Sequence, residues 1–107
     1  MPRIKINIIK DLISKRDEYN FSEFLLRLRE YHGYTRPFVQ ECTGINHLRL
    51  FYLEHGLFKR GVKELEISAL SSFYDVPYLI LKELADRFYN EMLGRAREPI
   101  DYYRQAS

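Results

Sequence analysis

The sequence predicts an all-α fold on three observations. Apolar residues recur at helical spacing from Phe21 onward, capping residues stand ahead of the first three such runs, and Gly or Pro closes the first four. At 107 residues, 46% hydrophobic and 30% charged, the chain is long enough for one core but not two, and its composition is globular. It divides into an N-terminal arm and short helix over 1–20, a compact helical domain over 21–81, and a C-terminal helical extension and tail over 82–107.

The first segment alternates Ile4, Ile6 and Ile8, which suggests a short strand or an extended arm, and then Ile9, Leu12 and Ile13 take up helical spacing. The polar run Arg16 to Asn20 ends in a good N-cap, with Glu23 three residues on as in a capping box. A helix should start near Phe21 and bury Phe21, Phe24, Leu25 and Leu28, with Gly33 to stop it. Thr35 caps a short second helix with Pro37 in its first turn, and Val39 with Cys42 forms a narrow inner face. The lone Cys42 has no disulfide partner and no second thiol at metal-ligand spacing, so it reads as a small core hydrophobe.

Thr43, Gly44, Ile45 and Asn46 then make a tight turn in which Gly44 is free to take positive φ, Ile45 plugs the core and Asn46 caps a third helix. That helix ends at Gly56 and turns Leu50 and Leu53 inward; two helices joined by such a turn form a helix-turn-helix unit. Leu57 to Val62 reads as a loop with Lys59, Arg60 and Gly61 at its tip. A fourth helix follows with Leu65, Ile67, Leu70 and Phe73 available for burial, and Asp75, Val76 and Pro77 break it. Pro77 opens a fifth helix whose stripe of Leu81, Leu84, Ala85, Phe88 and Met92 exceeds what a minimal unit needs. Leu81, Leu84, Phe88 and Met92 are therefore the candidate dimer interface. The tail from Gly94 to Ser107 shows no clear period and is expected to order only on a partner.

A net charge of +2 says little by itself, but its distribution is uneven. Arg36, Arg49, Lys59, Arg60 and Lys63 face only Glu41 and Glu54 between Thr35 and Lys63, whereas Glu64 to Ser107 carries 8 acids against 5 bases. No apolar run approaches the ~20 residues of a membrane span, and the first residues lack a signal peptide's apolar stretch, so a cytoplasmic protein without membrane attachment is expected. His32, His47 and His55 have no carboxylate or thiol at ligand spacing, and no phosphate-binding glycine loop is present. An enzyme, a metal site and a bound cofactor are not expected.

From about Phe21 to Leu81 the chain resembles the Cro and phage-repressor (XRE-type) helix-turn-helix family. Arg29 stands late in the first helix, Thr35 and Arg36 at the start of the second, and Gly44, Ile45 and Asn46 at the turn. Leu50 and Leu53 hold the buried recognition-helix positions, Glu54, His55 and Gly56 its Glu-x-Gly ending, and Leu70 to Val76 the closing helix. Gln40 departs from the family's usual alanine, and Thr43 from its apolar residue. The resemblance implies a compact five-helix phage-repressor-like domain, a structural ion pair between Arg29 and Glu54, docking through the third helix, and homodimers that read two half-sites one helical turn apart.

On that reading the partner is double-stranded DNA. Asn46, His47, Leu48, Arg49 and Tyr52 face base edges, with Arg49 the best base reader because a guanidinium matches guanine O6 and N7. Arg36, Lys59, Arg60 and Lys63 contact phosphate. The expected function is a sequence-specific, repressor-like transcriptional regulator. A rival from another class is a protein-interaction module on the same scaffold, an antirepressor or complex subunit, with Leu48, Phe51 and Phe58 as the patch that meets a regulatory protein partner.

Overall fold

The computed structural model describes the backbone of residues 9–106 and the side chains of residues 9–94. Helix α1 covers residues 9–14 and runs into a 3-10 turn at Arg16–Glu18. Helices α2 (Phe21–His32), α3 (Arg36–Thr43), α4 (His47–Glu54), α5 (Glu64–Tyr74) and α6 (Tyr78–Ala106) follow, so the fold is all-α among the described residues. Ile4, Ile6 and Ile8, the expected strand or arm, lie outside them.

Asn20 and Glu23 close a reciprocal capping box on α2: the Glu23 amide donates to Asn20 Oδ1 at 2.8 Å, and the Asn20 amide donates to Glu23 Oε1 at 3.2 Å. The helix buries Phe21, Phe24, Leu25 and Leu28. On α3, Thr35 Oγ1 accepts from the Phe38 amide at 3.3 Å and only Val39 is buried. Cys42 is exposed, which corrects its reading as a core residue. The residue one turn from Val39 that turns inward is Thr43, whose hydroxyl donates to the Val39 carbonyl at 2.8 Å and accepts from the Ile45 amide at 3.1 Å. A polar side chain thus occupies an apolar slot without an unmet hydrogen bond.

In α5 the inward positions are Ile67, Leu70 and Tyr74, while Leu65 is 83% exposed and Phe73 only partly buried. Residues 67, 70 and 74 share a face at helical spacing, and residue 65 lies about 200° from residue 67 around the axis. Phe73 instead joins Tyr34 and Phe38 in an aromatic cluster, with ring centroids 5.4 and 6.3 Å away, that ties α5 to α3.

The connection from α4 to α5 is anchored by Phe58, 1% exposed, whose ring meets Phe21 edge-on at 5.9 Å and Phe88 at 5.2 Å. Gly56 turns the chain there with φ 71°, and a Cβ at that position would sit 3.0 Å from the Phe88 ring, so both backbone and space call for glycine.

Leu81, Leu84 and Ala85 of α6 join Leu12 of α1 in the same core. The core therefore runs across the boundaries that the sequence places at residues 20 and 81, and the apolar stripe of α6 packs within the chain. That removes Leu81 (0% exposed) and Leu84 (2%) from any dimer interface, and Phe88 is held by Phe58. Helix α6 also continues to Ala106, through the segment read as aperiodic tail. Arg95, Ala96, Arg97 and Glu98 are good helix formers, a preference that hydrophobic periodicity does not register, whereas Pro99 in the interior works against the helix.

Candidate nucleic-acid interface

The turn between α3 and α4 sets the first residues of α4. Gly44 takes φ 80°, Ile45 is buried, and Asn46 Oδ1 accepts from the Leu48 amide at 2.8 Å. Gln40, the departure from the family pattern, has a specific task here. Its Oε1 accepts from the His47 amide at 2.8 Å and lies 2.7 Å from His47 Nδ1. Because the amide is a donor, the atom it meets must be the carbonyl oxygen, and His47 Nδ1 must then carry its proton. In the neutral ring, Nε2 is left as an acceptor.

Arg49, the expected base reader, is engaged inside the protein. Its Nε donates to Glu66 Oε2 at 2.8 Å, and its Nη2 donates to Glu66 Oε1 at 3.0 Å and to the Gly61 carbonyl at 2.8 Å. The hydrogen bonds that Arg49 donates to Glu66 raise its pKa despite partial burial. Burial pushes the Glu66 carboxyl up, but the Arg49 guanidinium, the Lys63 amide and the nearby charges outweigh it and hold Glu66 below the ordinary glutamate value. Arg49 thus ties α4 to α5 and to the loop that carries Lys59 and Arg60. The sequence signal for its partner is Lys63-Glu64-Leu65-Glu66, in which Glu66 also caps α5 by accepting from the Lys63 amide at 2.9 Å.

Glu54 is 5% exposed and is shared by two arginines. Arg29 Nε donates to its Oε2 at 2.8 Å, and Arg36 Nε donates to its Oε1 at 2.9 Å. Arg29 Nη1 also donates to the Tyr34 carbonyl at 2.9 Å. Arg36, expected on phosphate, lies over the Phe51 ring at 5.1 Å with Nη2 3.4 Å from His55 Nε2. Two guanidiniums against one carboxylate leave this cluster with one net positive charge.

Lys59, Arg60 and Lys63 are exposed, as are Asn46, His47, Leu48 and Tyr52. Leu48 is 56% and Tyr52 43% exposed, with Phe38, Phe51 and Leu57 also at the surface. Phe58 does not belong to that apolar patch, because it is buried in the core; Leu57 stands outside in its place. Of the four residues expected at a dimer interface, Phe88, packed on Phe58, and Met92 stay partly accessible on α6, the latter beside the exposed Leu93. Among the described residues, no group of His, Cys, Asp or Glu is placed to hold a metal, and no helix is long and apolar enough to cross a membrane.

No family model, curated protein or solved structure matches this chain.

Proposed function

We propose that the chain is a sequence-specific double-stranded DNA-binding transcriptional regulator of the repressor type, with α4 entering the major groove. The observation that carries the reading is the surroundings of α4. Its first turn is exposed, the loop beside it presents Lys59, Arg60 and Lys63 to solvent, and the carboxylates of Glu54 and Glu66 are neutralised by arginines. A duplex approaching this face meets cations and no uncompensated acid from α4, which favours phosphate contact on either side of an inserted helix. His47, Leu48 and Tyr52 are the base-facing side chains, Arg49 holds the basic loop, and Arg36 contributes through the net charge of the Glu54 cluster. The regulator acts as a homodimer, whose contact involves Met92, Leu93 and the remainder of α6.

Selection from a random duplex library at low salt tests this reading. Enrichment of a motif that changes with Leu48→Ala or Tyr52→Ala supports it, and an unenriched pool contradicts it.

One observation favours a second reading, a protein-interaction module such as an antirepressor or complex subunit. Phe38, Leu48, Phe51, Tyr52 and Leu57 are all exposed, and Leu48, Phe51 and Tyr52 are neighbours on α4. Such a contact responds weakly to salt.

A further inference from the structure

Most of the polar groups that open α4 are engaged within the protein, with His47 Nε2 left as an acceptor. Asn46 Oδ1 caps the Leu48 amide, His47 Nδ1 is held by Gln40, and Arg49 Nε and Nη2 are held by Glu66 and the Gly61 carbonyl. Leu48, in the same turn, is 56% exposed, and Tyr52, its neighbour at i+4, is 43% exposed. The apolar side chain held out in the first turn of the helix is Leu48.

The apolar feature of a major groove is the C5-methyl group of thymine. We propose that the chain reads thymine methyl groups through Leu48, so that its sites are defined by A·T pairs at fixed positions and not by a guanine contact from Arg49. The inference rests on the DNA-binding reading. It commits to a duplex because the exposed Lys59, Arg60 and Lys63 gather around Arg49, the residue next to Leu48 in the chain, and Glu66 is neutralised by that arginine, an arrangement complementary to phosphates. Packing Leu48 on a methyl removes apolar surface from water on both partners, and each methyl so covered corresponds to about a fourfold gain in affinity. Exposure of Leu48 in the free protein makes it a specificity-determining contact that contributes nothing to the core.

The test is a titration at low salt of the full chain with an alternating adenine–thymine duplex of about 20 base pairs and with the same duplex carrying uracil for thymine. The expected result is weaker binding of the uracil duplex by about fourfold or more, with Leu48→Ala binding both duplexes equally. Tight, salt-sensitive binding that ignores the methyl groups overturns the methyl readout and leaves the DNA reading intact. A uracil effect that survives Leu48→Ala removes Leu48 from the readout. Binding of neither duplex overturns both.

Discussion

Arg49 and Glu66 form a two-pronged ion pair, Nε to Oε2 at 2.8 Å and Nη2 to Oε1 at 3.0 Å, that joins the exposed helix α4 to the start of α5. The same Nη2 reaches the Gly61 carbonyl, so one side chain fixes the position of the loop basics relative to α4. The pair is partly shielded from water and charge-assisted, and a double-mutant cycle with Arg49→Ala and Glu66→Ala should give a coupling of about 1 kcal/mol. Its pH dependence has a definite sign. Glu66 has a depressed pKa in the folded chain, so it contributes stability above the ordinary glutamate range that is lost as pH falls through the lower folded value. Urea unfolding should show wild type and Glu66→Gln differing most near neutral pH and converging in acid.

Glu54 holds two arginines, and its removal leaves Arg29, with a side chain only 14% exposed, facing no carboxylate. Glu54→Ala is expected to cost about 3 kcal/mol in urea unfolding, the scale for breaking a buried pair from one side. Arg36→Ala should cost less, about 1 kcal/mol, because Arg29 still neutralises Glu54.

Leu57 and Phe58 are adjacent but energetically unlike. Phe58→Ala empties a site packed by Phe21 and Phe88 and should destabilise by about 4 kcal/mol, whereas Leu57→Ala, at a 59% exposed position, should shift stability by less than about 0.5 kcal/mol. Thermal melts followed by circular dichroism distinguish the two.

Leu84, Ala85 and Phe88 make the proximal half of α6 part of the core. A chain ending at Leu81 is expected to lose cooperative unfolding. One ending at Gly94 retains these residues and should stay folded; light scattering on it then asks whether the distal half of α6 carries the proposed dimer contact, with a monomer mass expected.

Much of the scaffold was legible because caps and apolar spacing act locally. Asn20 with Glu23, Thr35, Gly44, Asn46 and the inward Leu50 and Leu53 are short-range signals, and each has its expected geometry in the fold. The Arg29–Glu54 contact forms as the family resemblance implies. What local patterns do not contain is the choice among partners far apart in sequence. Arg49 reads as a free guanidinium until the fold brings Glu66 to it, and Arg36 until Glu54 is found with room for two arginines. Phe58 looks like a loop aromatic until Phe21 and Phe88 close over it. The stripe of α6 looks surplus on periodicity alone, because α2, α5 and Phe58, which it packs against, are brought to it only by the fold. Gln40 was visible only as a departure; its value lies in one acceptor shared by the amide and the ring of His47.

The most direct test of the DNA-binding account is the salt dependence of affinity for the alternating adenine–thymine duplex, measured from low to moderate salt for wild type and for a Lys59→Ala, Arg60→Ala, Lys63→Ala variant. Log affinity should fall against log salt with a slope of about −3 or steeper, and the variant should flatten it by roughly 2–3, close to one unit per phosphate contact removed. A slope near zero, or one that the three substitutions leave unchanged, would contradict the account.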